Sequence, residues 1–172
     1  MLPDRRQQIL RPVRLSTIVV SFVIALLLNF LPWHNVAVVP DFVALTLTFW
    51  CVRQPQLVGL GVAWVLGLLT DVGNGVLLGQ HALSYSVLAF CAVTLSRRIL
   101  WFGVSGQTLH VAALLLLAQG VGTLVRLAAG AEFPGWSLAI GPLGAALLWP
   151  LVSFLLLAPQ RRAHEVDDTR PI

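Results

Sequence analysis

The sequence contains no lysine, and only 10% of its 172 residues are charged. Soluble domains carry about 25% charged residues. Because 58% of this chain is hydrophobic and its mean hydropathy is +0.86, one water-surrounded core of this size cannot hide its apolar side chains. We therefore expect the bilayer to be the solvent. The predicted fold class is an all-α polytopic membrane protein with about six transmembrane helices.

Catalytic and metal-binding signatures are also missing. No G-x-S-x-G, H-E-x-x-H or glycine-rich phosphate loop occurs. The two cysteines, Cys51 and Cys91, form no C-x-x-C pair and are expected to be small buried side chains. The arginines are not interleaved with aromatic residues, as they are on a nucleic-acid-binding surface. We predict that the protein is not an enzyme, has no cofactor or metal, and does not bind nucleic acid.

Six apolar segments follow one another along the chain. The predicted helices cover about 15–31, 36–52, 57–70, 76–95, part of 99–126, and 138–158. Trp33 is expected at the membrane interface, and Ser96 to Arg98 are expected to close the fourth helix. Trp149-Pro150 predicts a kink in the sixth helix.

Arginine placement predicts the orientation of these helices. With six spans both termini lie on one side of the membrane, and ten of the eleven basic residues fall on that side. These are Arg5, Arg6, Arg11, Arg14, Arg53, Arg97, Arg98, Arg161, Arg162 and Arg170. Only Arg126 falls on the other side. The excess predicts that both termini are cytoplasmic, with a basic N-terminus (1–14), a six-helix membrane domain (15–158) and a polar tail (159–172).

A short polar centre interrupts the apolar pattern. It consists of Asp41, Asp71, Asn74, Gln80 and His81, which the predicted orientation places at the non-cytoplasmic ends of the second, third and fourth helices. An ionised side chain at mid-membrane costs about 2.5–3.5 kcal/mol on insertion scales and much less near the rim. The centre could complete helix ends, receive a partner's arginine, or hold a polar ligand or cation. Asp41 beside Pro40 is either the cap of the second helix or part of this centre.

Small residues recur every fourth position in the third helix, at Gly59, Ala63 and Gly67, and Asp71 continues the row. Such a row lets the backbone of another helix approach closely, so it is a candidate helix packing site for a partner. Polar side chains form two further stripes. Gln80, His81, Ser84 and Tyr85 share one face of the fourth helix, and Gln119, Thr123 and Arg126 form a second stripe near the end of the fifth helix.

The pattern resembles the rod shape-determining MreD family over nearly the whole chain. The resemblance rests on Pro40-Asp41-Phe42, Phe49-Trp50, Pro55, Val58-Gly59, Gly67-Leu68, Asp71, Gly75, the run Leu78 to Leu83, the Phe133 to Trp136 turn and the run Leu156 to Arg162. It implies a multi-pass protein of the bacterial inner membrane that acts in the elongation machinery with MreC, the RodA glycosyltransferase, a class B penicillin-binding transpeptidase and MreB filaments. The family's fold is similar to the substrate-binding membrane subunit of energy-coupling-factor vitamin transporters. The family has no catalytic residues to carry over.

Two functional hypotheses follow. The first is a non-enzymatic membrane scaffold, surrounded by membrane lipids, whose helices bind the transmembrane helix of MreC directly and so support rod shape and lateral peptidoglycan synthesis. The alternative is a small-molecule-binding membrane subunit of a transporter, with the polar centre as its pocket. An ion or proton pathway would need acidic or histidine groups spaced through the bilayer. It is disfavoured, because His110 is the one such group within the predicted helices away from the polar centre, and one group makes no relay.

Overall fold

The computed structural model describes residues 14–32, 39–133 and 135–161. Within these ranges the chain is helical and has no β-strand. The helices are α1 (Leu15–Phe30), α2 (Phe42–Arg53), α3 (Leu60–Asn74), α4 (Gln80–Trp101), α5 (Val104–Ala128), α6 (Ile140–Leu147) and α7 (Trp149–Arg161), and a 3₁₀ turn (Trp136–Ala139) precedes α6.

Three of the described segments are long and apolar enough to cross a membrane: α4, α5, and the combined run Trp136–Ala158. The helices α1, α2 and α3 are apolar but shorter. The chain is an all-α polytopic membrane protein, as predicted. The combined run is divided at Leu148, next to the predicted kink. The ring nitrogen of Pro150 has no hydrogen to donate to the preceding turn.

The central element is α2, in which every residue from Val43 to Val52 is buried. Twelve residues span about 18 Å, well short of a bilayer core of about 30 Å. The helix is nevertheless shielded, because it packs against α1, α4, α5, α6 and α7. Its large side chains form the middle of the core: the rings of Phe49 and Trp50 meet edge to face at 5.1 Å, and Trp50 Nε1 donates to Ser21 Oγ at 2.8 Å.

The closest approach of two helices occurs at Gly67 in α3. A Cβ atom there would lie 2.3 Å from Ala82 Cα and 2.5 Å from Ala82 N, both in the backbone of α4. Ala63 is buried as well, whereas Gly59 is the N-cap of α3, and a Cβ there would meet only the Pro55 carbonyl oxygen, at 4.0 Å. At Gly67, the predicted packing row therefore brings α4 of the same chain against α3. It leaves no open surface for a partner at this position.

Several helix boundaries differ from the prediction. The second helix begins at Phe42, with Asp41 as its extended N-cap, instead of at 36. The third helix continues to Asn74 instead of ending at 70, and α4 begins at Gln80 instead of 76. The connection is bracketed by Gly75 and Gly79, whose φ angles of 61° and 99° suit glycine.

The C-terminal ends of the fourth and last helices also differ from the prediction. The fourth helix continues through Ser96, Arg97 and Arg98 to Trp101, because arginine is a good helix former and does not end a helix. The last helix runs to Arg161 instead of ending at Ala158. The predictions for Trp33, for residues 1–13 and for most of the tail fall outside the described residues.

Candidate functional site

Asp71 is fully buried in the last turn of α3 and caps α4. Its Oδ2 accepts from Gly79 N at 2.8 Å and from Ala82 N at 3.4 Å, and its Oδ1 accepts from His81 N at 2.9 Å. The His81 ring is also held, with Nδ1 2.8 Å from Asp71 Oδ1. The first N–H groups of a helix have no partner inside it, and here one carboxylate supplies the acceptor from another helix.

Asp41 joins three helices. Its Oδ1 accepts from Ala44 N and from Asn29 Nδ2, both at 3.0 Å, and its Oδ2 accepts from the Tyr85 hydroxyl at 2.7 Å. Asn29 Oδ1 in turn accepts from Phe42 N at 2.9 Å. The carboxylate therefore caps α2 and ties it to the end of α1 and the first half of α4. Asp41 therefore matches both interpretations that the sequence left open. It is the cap of the second helix, and it also lines the cavity described next together with other residues of the polar centre.

A cavity of about 440 Å³ lies between the N-terminal ends of α2 and α4, the C-terminal half of α5, and the start of α6. Its ionisable and polar lining residues are Asp41, Asn74, Gln80, His81, Ser84, Tyr85, Gln119, Thr123, Arg126 and Ser137. Four of the five residues of the predicted polar centre line it. The fifth, Asp71, does not, and instead fixes His81 and the start of α4.

The cavity unites two stripes that the sequence showed separately, the polar half of α4 and the Gln119 to Arg126 stripe of α5. Gly122 allows this contact, since a Cβ there would lie 2.9 Å from Ser84 Oγ. The sequence places Tyr85 on the polar face of the fourth helix, four residues after His81, but it does not predict the hydrogen bond from Tyr85 to Asp41.

The charges around the cavity are of both signs. Among the described residues the one ion pair is His81 with Asp71, so Asp41 and Arg126 line the same space without pairing. No group of three or more His, Cys, Asp or Glu side chains that could hold a metal ion occurs in the described part of the chain. The two cysteines are free; Cys51 is buried and Cys91 half-buried. The arrangement is suited to binding a polar group.

Comparison with known proteins identifies the family. The family model described as rod shape-determining protein MreD matches residues 11–158. The rod shape-determining protein MreD of Haemophilus influenzae is 33% identical over 152 residues, which cover 85% of this chain and 91% of that protein. No solved structure matches, so the similarity to the vitamin-transporter subunit stays an expectation. The predicted resemblance is confirmed: the chain belongs to the rod shape-determining MreD family.

Proposed function

We propose that the chain is a non-enzymatic scaffold of the bacterial inner membrane that binds MreC and supports lateral peptidoglycan synthesis. The observation that carries this proposal is the family match over residues 11–158, which includes all the predicted spans. RodA, the class B penicillin-binding transpeptidase and MreB belong to the same proposed assembly. The excess of arginines on one side supports cytoplasmic termini and a cavity that opens on the opposite side.

The connections between helices are short. The connections that are described throughout cover 54–59, 75–79 and 102–103, and none of these is long enough to form a folded domain. We infer that a partner is recognised mainly through surfaces that face the lipid. This agrees with a transmembrane helix of MreC as the main contact.

One lipid-facing groove suits such a helix. It has a volume of about 470 Å³ and lies between α1, α2 and α7. Thr17, Ser21 and Ala25 line it at every fourth residue of α1, and small side chains at this spacing let helices pack closely in lipid. We place the MreC helix here instead of on the row that contains Gly67.

Filling this groove should release MreC. Val20 lines the groove and is 54% exposed, whereas Val19 is 59% exposed but lies outside it. With Val20→Trp we expect co-purification of MreC with the membrane-inserted protein to fall about tenfold, which corresponds to a loss of about 1.4 kcal/mol in binding. Val19→Trp adds the same bulk on the same helix and should leave MreC recovery unchanged.

The same variants can be tested in a rod-shaped bacterium that lacks its own copy of the gene. The wild-type chain and Val19→Trp should restore rods, and Val20→Trp should leave rounded cells. Normal MreC recovery with Val20→Trp would remove the groove from the interface. Normal rods together with a nutrient-uptake defect in the deletion strain would contradict the scaffold and favour the transporter subunit.

A further inference from the structure

The cavity between α2, α4, α5 and α6 is lined by one carboxylate, that of Asp41, which forms no ion pair with a described residue. The Asp41 carboxylate is held by three hydrogen bonds, two on Oδ1 and one on Oδ2, and Asp41 is the N-cap of α2. A carboxylate offers about four acceptor positions. One position on Oδ2 is left, and no described cation pairs with it.

The cavity lining that α5 contributes includes a cation, Arg126, that has no anionic partner among the described residues. Arg126 lies in the last turn of α5, is exposed, and forms no ion pair with a described residue. Its guanidinium has a planar set of N–H donors that matches the oxygen atoms of a phosphate group. Gln119, two turns earlier on the same stripe, lines the same cavity.

A buried amide that lines the cavity also has no side-chain hydrogen bond to a described residue. Gln80 is only 8% exposed, lines the cavity, and its side chain forms no hydrogen bond within the described part of the chain. None of its amide atoms is among the fully enclosed atoms without a hydrogen-bond partner in the described part of the chain, so these atoms keep some exposed surface. Buried amides in native proteins are nearly always hydrogen-bonded, so this side chain is available to a ligand.

We propose that this cavity binds a zwitterionic ligand with an ammonium group and a phosphate group, the chemistry of phosphoethanolamine. The ammonium donates to Asp41 Oδ2, the phosphate accepts from Arg126, and the amides of Gln80 and Gln119 lie between them. A volume of about 440 Å³ falls within the range of about 300–1,000 Å³ typical of ligand sites. The ligand is either the headgroup of phosphatidylethanolamine or a free phosphoethanolamine compound. The site is separate from the groove proposed for MreC, so the two proposals can fail independently.

The test is native mass spectrometry of the full chain after exchange with phosphatidylethanolamine or phosphatidylglycerol, which has a phosphate but no amine. We expect about tenfold greater retention of phosphatidylethanolamine, since a hydrogen bond to a charged group is worth about that factor or more. Soluble O-phosphoethanolamine, added to the lipid-stripped protein, forms the second arm. Binding in this arm alone would identify a free compound as the ligand.

Single substitutions test which residue binds the ammonium group of the ligand and which binds its phosphate group. Asp41→Asn keeps a good N-cap and should abolish the preference for the amine. Arg126→Gln should lower retention about tenfold. Arg98→Gln changes an exposed arginine at the far end of α4, outside the cavity, and should have no effect.

Equal retention of the two lipids, with no binding of O-phosphoethanolamine, would overturn the proposal. Retention by Arg126→Gln equal to that of the wild-type chain would also overturn it. The Arg126 variant decides the matter even if Asp41→Asn fails to fold, because Arg126 is exposed and no described residue pairs with its charge.

Discussion

Gly67→Ala is expected to destabilise the protein by about 3 kcal/mol, the upper end of the usual cost of overpacking. The added Cβ would lie 2.3 Å from Ala82 Cα and 2.6 Å from His81 C. These are backbone atoms of α4, so no side chain can rotate away to make room. To accept the methyl group, α3 and α4 have to separate along their whole contact, which also disturbs the hydrogen bonds of Asp71 to the start of α4.

The measurement is the midpoint of thermal unfolding of the purified protein in detergent, followed by fluorescence-detected size exclusion. Gly61→Ala is the matched control, because Gly61 lies on the same helix and a Cβ there would have no atom within 4 Å. We expect Gly61→Ala to unfold at or slightly above the wild-type midpoint, since alanine favours helix. Equal midpoints for the two variants would contradict the close contact of α3 and α4.

Asp71→Ala should cost about 3 kcal/mol or more, because losing a cap costs about 0.5–2 kcal/mol and each buried donor left without a partner costs about 1–3 kcal/mol. Three backbone N–H groups of the α4 start, those of Gly79, His81 and Ala82, would lose their acceptor. The His81 ring would lose its partner too.

Two further variants make this test specific. Asp71→Asn keeps one acceptor oxygen, so its loss of stability should be smaller than that of Asp71→Ala. Asn74→Ala changes an exposed residue in the same turn of α3 and should unfold like the wild-type chain in the same assay. If Asp71→Ala were as stable as Asn74→Ala, the capping role assigned to Asp71 would be wrong.

The order and number of apolar segments were predictable from the sequence, because a membrane protein has to present apolar side chains to lipid over whole spans. The first helix was predicted within one residue of α1, Leu15–Phe30. The central position of α2 was not predictable. Lipid tails are as apolar as leucine, so an apolar run does not reveal whether lipid or protein surrounds it.

The start of α4 was misplaced for a different reason. The acceptor that caps it belongs to Asp71, eight residues before Gly79 and on another helix, and no pattern within α4 reports that contact. In the small-residue row, Gly67 lies against the backbone of another helix, whereas Gly59 does not. Spacing alone cannot say whether that backbone belongs to the same chain.

The polar residues were recognised individually, yet their assembly into a cavity depends on tertiary contacts. Asp41 and Tyr85 are 44 residues apart in sequence, yet the Tyr85 hydroxyl lies 2.7 Å from Asp41 Oδ2. The approach of α5 to α4 at Gly122 joins Arg126 to the polar centre. Helical periodicity shows which residues share a face of one helix, and it carries no information about which faces of two helices meet.

The central claim is that this cavity opens on the non-cytoplasmic side of the membrane, and cysteine labelling tests it most directly. In a chain with Cys91→Ala and with Cys51 left buried, a membrane-impermeant maleimide is applied to intact spheroplasts and to inverted vesicles. We predict that Asn74→Cys, at the exposed rim of the cavity, is labelled in spheroplasts, and that Arg98→Cys is labelled only in inverted vesicles. Labelling of Asn74→Cys only in inverted vesicles would invert the orientation and contradict the account.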